Sequence, residues 1–190
     1  MKNLTLITGA VRSGKSLFAE QLATKYGGAV LYIATMPHLP GDAEQSQRID
    51  RHQSRRPAHW TTVERPYDLP AAIAAAPPET QQCIIDCLPV YISNALLRAC
   101  DFRDDAEPYE HEGAIFAEVD AIIAALSARD NVRFFLVTNE VGWGVVPETS
   151  LGRAFRDFVG IANQRLAAQA EEVWLTCVGL PLRLKPQAMV

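Results

Sequence analysis

Short apolar runs alternate with longer amphipathic stretches along the chain. Leu4–Thr8, Ala29–Ala34, Gln82–Cys87, Val132–Thr138 and Val173–Val178 are brief and nearly continuous in apolar residues, the pattern of strands buried on both faces. Trp60–Glu64 is short and β-prone, and Leu182–Leu184 predicts an edge strand. Between these runs the spacing predicts helices. Ser16–Tyr26 carries Leu17, Phe18, Leu22 and Ala23 toward one face and stops at Gly27-Gly28. A break at Thr35–Gly41, with Pro37, Pro40 and Gly41, precedes a polar helix over Asp42–Arg56, closed by Pro57. Further helices are predicted from Asp68-Leu69-Pro70 to about Ala76, and over Val90–Ala99, Glu112–Arg129 and Ser150–Ala170; Cys100–Glu110 is a polar surface loop. Strands that alternate with helices in this way predict a mostly parallel sheet with helices on both faces. With no internal repeat or linker, residues 1–190 read as a single α/β domain.

Composition narrows the function classes. The 190 residues are 48% hydrophobic and 21% charged, the balance of a globular chain and not of a disordered, collagen-like or disulfide-scaffold one. A formal net charge of −4 gives no broad attraction to nucleic acid or anionic membrane, so any phosphate recognition is local. Cys83, Cys87, Cys100 and Cys177 form no CxxC pair and read as small buried hydrophobes in a reducing compartment. The apolar run at the N-terminus is too short for a signal peptide, and no segment approaches the ~18 apolar residues of a membrane span. A cytoplasmic protein is expected.

Local phosphate chemistry is concentrated in Gly9-Ala10-Val11-Arg12-Ser13-Gly14-Lys15-Ser16, a full G-x-x-x-x-G-K-[ST] match between a predicted strand and a predicted helix. Its glycines let successive backbone N–H groups turn toward phosphate oxygens, and the helix N-terminus adds positive potential. Lys15 is placed to reach the β- and γ-phosphates and the Ser16 hydroxyl to ligate Mg²⁺. Together with the strand–helix alternation, this predicts a P-loop NTPase-type fold. Asp86, at the end of an apolar strand, is the candidate second metal group; the alternative is a helix cap for the segment from Leu88.

A second phosphate-handling segment is RIDRHQSRR, Arg48 to Arg56, where four arginines and His52 face one acid, Asp50. On a helix, Arg48, His52 and Arg56 share a face. The arginines would neutralise phosphate oxygens and disfavour protonation of the imidazole, leaving a neutral nucleophile. The alternative is a solvated surface helix. His38, His59 and His111 lack such company and read as loop or surface residues.

These segments together resemble the bifunctional adenosylcobinamide kinase/adenosylcobinamide-phosphate guanylyltransferase family of cobalamin biosynthesis, over about residues 3–184. The likeness rests on GAVRSGKS, LYIAT (Leu31–Thr35), RIDRHQSRRPAHWTTVE (Arg48–Glu64), VTNEVGWGVVPE (Val137–Glu148) and FRDFVGIANQRLA (Phe155–Ala167). It implies that a nucleoside triphosphate, ATP or GTP, phosphorylates the aminopropanol hydroxyl of adenosylcobinamide. GTP then gives its guanylyl group to adenosylcobinamide phosphate, making adenosylcobinamide-GDP and pyrophosphate. The guanylyl group passes through a histidine, which falls here on His52. Some members carry two adjacent histidines, where this chain has Arg51-His52. The resemblance also implies that Ala34, Thr35, Met36, Arg55, Glu64 and Asp86 line the nucleotide site. Members often have Glu where Asp86 stands and a small polar residue where Met36 stands. A homotrimer is implied as well. Asn139 and Glu140 follow a strand at the position where α/β sheets place ligands, which leaves them a substrate or nucleotide role or a structural clasp.

Two other classes compete. Another small-alcohol kinase would use the phosphate loop and Asp86 but would not need His52. A regulatory GTPase would carry an Asn-Lys-x-Asp motif, which the chain lacks.

Overall fold

In the computed structural model, which describes residues 1–37, 56–103 and 107–186, all the strands fall in one sheet. They are β1 (Leu4–Gly9), β2 (Val30–Ala34), β3 (Thr61–Glu64), β4 (Gln82–Asp86), β5 (Arg133–Val137), β6 (Glu172–Cys177) and β7 (Leu180–Lys185). The order across the sheet is β3-β2-β4-β5-β1-β6-β7, and only β7 runs antiparallel to its neighbour. The helices are α1 (Lys15–Tyr26), α2 (Leu69–Ala74), α3 (Leu88–Ala99), α4 (Glu112–Ser127) and α5 (Ser150–Gln169), with a 3-10 turn at Pro108–His111 overlapping the end of the predicted polar loop. The predicted helix Asp42–Arg56 lies outside the described residues except for Arg56. Among the described residues no helix is long and apolar enough to cross a membrane.

Strand side chains alternate between two faces, and both are covered. Leu6, Ile33, Cys83, Ile85, Phe134 and Leu136 pack with α2, α3, α4 and α5 in one cluster. Ile7, Tyr32, Ile84, Phe135 and Val137 pack with Ala19 and Ala23 of α1 in a second. Burial on both sides explains why β1, β4 and β5 read as nearly continuous apolar runs. Each large side chain removed from water here contributes about 1.5–3 kcal/mol.

The buried face of α1 differs from the predicted one. Lys15, Ala19, Glu20 and Ala23 are the buried positions, Phe18 and Leu22 are half-buried, and Leu17 is 48% exposed. A helix lying close on a sheet needs small residues at the contact, so the two alanines face inward and the larger side chains flank them. Phe18 thereby meets Trp174 of β6 edge-on, with ring centroids 5.3 Å apart. The cysteine expectation is corrected too: Cys83 and Cys100 are buried, but Cys87 is half-buried and Cys177 exposed. Cys177 ends β6 at the hairpin into β7, beyond the helical cover.

Candidate active site

Strand β1 delivers the chain into the phosphate loop at the C-terminal edge of the sheet. Both motif glycines are demanded by geometry. Gly9 has φ +147°, and a Cβ there would stand 2.4 Å from the Thr176 carbonyl oxygen. Gly14 has φ +101°, with a Cβ placed 3.2 Å from Gly179 Cα. The β6–β7 hairpin therefore braces the loop. Gly179 N–H donates to the Ser13 carbonyl (3.0 Å), and the Ser13 and Thr176 hydroxyls lie 2.7 Å apart. No sequence signal marked Thr176 or Gly179, because their role comes from the strand order.

Lys15 opens α1 and is 8% exposed; its ammonium donates to the Ala10 carbonyl at 2.6 Å. Burial lowers its pKa below that of an ordinary lysine, while the nearby Cys87 and Asp86 pull it back up. Those residues form the turn after β4. Thr35, fully buried, holds this turn: its N–H donates to the Asp86 carbonyl, its hydroxyl donates to the Cys87 carbonyl, and its Oγ1 also accepts from Cys87 N–H. Asn94 of α3 donates to the Thr35 carbonyl at 2.9 Å.

Asp86 is not a helix cap, since Cys87 holds the position before α3. Its Oδ2 accepts instead from the Tyr32 hydroxyl at 2.6 Å. Burial first, and then the Asp86 charge, raise the Tyr32 pKa well above the usual tyrosine value, so the hydroxyl stays a donor. The Arg56 guanidinium stacks 3.5 Å above the Tyr32 ring, a cation–π contact. Arg56 thus ties the end of the basic segment to the residue that orients Asp86. Tyr32 lay unnoticed within LYIAT, although a tyrosine in a buried strand needs a polar partner.

On β5, between β1 and β4, the register aligns Ile7, Val137 and Asp86 in one row. Just beyond it, Glu140 N–H donates to the Gly9 carbonyl (3.1 Å) and Glu140 Oε1 accepts from the Thr8 hydroxyl (3.0 Å). At a strand spacing of about 4.8 Å, the strand leading to Glu140 adjoins that of the phosphate loop, and Asp86 ends a strand about 10 Å from it. Glu64, on β3, is four strands away, about 19 Å. There it joins Arg56, Pro57, Ala58, Trp60 and Thr62 around an open cavity of about 410 Å³.

The arrangement is a phosphate loop with a buried lysine, an oriented carboxylate and a second groove on the same sheet. Against known proteins, residues 5–184 match the family of cobinamide kinase / cobinamide phosphate guanyltransferase. The chain belongs to that family. It is a bifunctional cobinamide kinase and cobinamide phosphate guanylyltransferase. It is 42% identical to the bifunctional adenosylcobalamin biosynthesis protein CobU of Escherichia coli over 187 residues, covering 96% of this chain and 99% of that protein. The CobU of Salmonella typhimurium is 43% identical with the same coverage, and the CobP of Pseudomonas aeruginosa 40% identical over 97% of this chain and 98% of that one. In fold, the chain is similar to the RadB recombinase (TM-score 0.50, 14% identity, 91% of this chain and 73% of that one). It is similar also to a type III secretion ATPase (TM-score 0.56, 8% identity), matching 95% of this chain and 56% of that one.

For this cobinamide kinase and guanylyltransferase, the structure brings the sequence-predicted residues into two places. Gly9, Ala10, Val11, Arg12, Ser13, Gly14, Lys15 and Ser16 form the loop, and Asp86 faces it from β4 with half-buried Ala34 and Met36 nearby along the sheet edge. Glu64 lies apart in the groove beside Arg56. His52, Arg48, Arg55 and His38 lie outside the described residues. His59 is exposed and His111 half-buried ahead of α4.

Proposed function

We infer that the chain phosphorylates the aminopropanol hydroxyl of adenosylcobinamide with a triphosphate held in Gly9–Ser16, then guanylylates the product through His52. The first half of this reading is carried by the placement of Lys15, opening the helix after β1, and Asp86, ending β4, on the same edge of the sheet two strands apart. Lys15 meets the β- and γ-phosphates as charge moves between them. Ala34, Thr35 and Met36 act near the nucleotide, Thr35 through its hold on the Asp86–Cys87 turn. The Ser16 hydroxyl and Asp86 carboxylate are hard oxygen donors that fit Mg²⁺; Tyr32 fixes Oδ2, and no described residue bonds Oδ1. When bound, that ion neutralises phosphate charge. ATP and GTP both suit the loop, which reads phosphates and not bases.

In the second half, an unprotonated His52 nitrogen attacks the α-phosphorus of GTP, and the bond to the bridging oxygen breaks to release pyrophosphate. A phosphate oxygen of adenosylcobinamide phosphate then attacks that phosphorus, and the P–N bond breaks. Two anions thus never meet at one phosphorus. The stacking of Arg56 beside the Glu64 groove supports a guanylyl site there, with Arg55 next in sequence and His52 four residues before Arg56. Incubation with α-labelled GTP tests this. The expected result is a protein-bound label, labile to acid and stable to base. Absence of label in active protein would sink the covalent route.

This reading includes a cytoplasmic enzyme and a homotrimer. Self-association is supported by Leu180, Leu182 and Leu184, alternate residues on one face of β7 that are 69%, 58% and 41% exposed. Leu182→Asp is expected to lower the mass found by light scattering from three chains to one. An unchanged mass would exclude this face from the interface.

A further inference from the structure

We propose that Glu140 is the general base of the kinase reaction, receiving the proton of the acceptor hydroxyl as its oxygen attacks the γ-phosphorus. The assignment rests on the reading that the triphosphate occupies Gly9–Ser16. It starts from strand order. β5 lies between the phosphate-loop strand β1 and the strand β4 that ends in Asp86. Whatever follows β5 therefore emerges between the loop and Asp86. Among the described residues, three carboxylates stand at or just beyond the ends of the strands on the β3 side of the loop: Glu64, Asp86 and Glu140. Glu64 is four strands from β1. Asp86 has Oδ2 engaged by Tyr32. Glu140 follows the neighbouring strand and touches the loop itself, through its N–H on the Gly9 carbonyl and its Oε1 on the Thr8 hydroxyl.

The segment bearing Glu140 is held from behind. Thr138, fully buried, donates its hydroxyl to Asn163 Oδ1 of α5 (2.6 Å), and Asn163 Nδ2 donates to the Asn139 carbonyl (3.0 Å). This fixes the turn before any substrate arrives, as a preorganised base requires. Glu140 is half-buried, the Thr8 bond occupies Oε1, and among the described residues none bonds Oε2, the oxygen placed to accept a proton. The acceptor oxygen forms a bond to the γ-phosphorus, and the bond from that phosphorus to the β–γ bridging oxygen breaks. The nucleoside diphosphate leaves with that electron pair, and the hydroxyl proton moves to Glu140.

A clasp that merely ties Glu140 to Thr8 would need only an acceptor oxygen, which glutamine also supplies. Glu140→Gln therefore separates the two roles. The kcat for adenosylcobinamide phosphorylation is expected to fall about 10²-fold. KM and nucleotide affinity should move less than about threefold. Thr8→Val, which frees the carboxylate from its donor, should give a smaller kcat loss. The double variant should be no slower than Glu140→Gln alone, because orientation is worthless without the base. Wild-type kcat in Glu140→Gln, or fully additive losses in the pair, would overturn the assignment. Those outcomes are distinct from failure of the loop reading, which would show as full phosphorylation by Lys15→Met.

Discussion

His52→Ala is expected to abolish guanylyl transfer to adenosylcobinamide phosphate, by at least about 10⁴-fold, while phosphorylation of adenosylcobinamide continues. The asymmetry follows from the chemistry. A phosphoryl group can pass directly from a clamped triphosphate to a neutral alcohol. Guanylyl transfer has an anion both attacking and leaving, and the histidine separates the two events. Alanine removes the nucleophile without adding charge or bulk. The same substitution should erase the acid-labile label from α-labelled GTP. The measurement is a paired assay, with adenosylcobinamide plus ATP for the first reaction and adenosylcobinamide phosphate plus GTP for the second. Equal loss of both would turn His52 into a residue for shared binding or structure and would end the covalent proposal.

The parts of this molecule that were legible in sequence are those written in one dimension. β1, β4 and β5 announce themselves because strands covered on both sides contain little besides apolar residues. The phosphate loop is legible because its conformation needs glycine at Gly9 and Gly14, and both requirements appear as close approaches in space. The face of α1 was not legible. Periodicity favours the largest apolar residues, whereas the sheet selects Ala19 and Ala23 for closeness. Tyr32 and Thr8 were hidden for another reason, and Glu140 was visible only as a residue following a strand, with no partner assigned. Each depends on which strand neighbours which, and the placement of β5 between β1 and β4 is a property of topology that no local spacing encodes. Strand order likewise divides the predicted nucleotide residues, with Glu64 four strands from the loop and beside Arg56.

Lys15→Met should reduce adenosylcobinamide phosphorylation about 10³-fold in kcat, the scale of losing one preorganised electrostatic contact at the transferring group. Lys15 is 8% exposed, and a charge so poorly screened acts strongly on a phosphate beside it. Its amine now contacts the Ala10 carbonyl at 2.6 Å, inside the loop it would share with the phosphates. Methionine keeps an unbranched apolar stem, one atom shorter, and deletes the charge. Burial disfavours the charged form of Lys15 and lowers its pKa, so the substitution removes a desolvated ion and should not unfold the protein. An unchanged or raised melting temperature together with a collapsed kcat would separate catalysis from stability. Full phosphorylation by the folded variant would show that the triphosphate is clamped elsewhere. The enzyme's label from α-labelled GTP supplies the second readout. If it persists in Lys15→Met, guanylylation uses a triphosphate position of its own, as the four-strand separation of Glu64 from the loop suggests. If it vanishes with the kinase, one clamp serves both reactions, and the groove beside Arg56 does not hold GTP by itself.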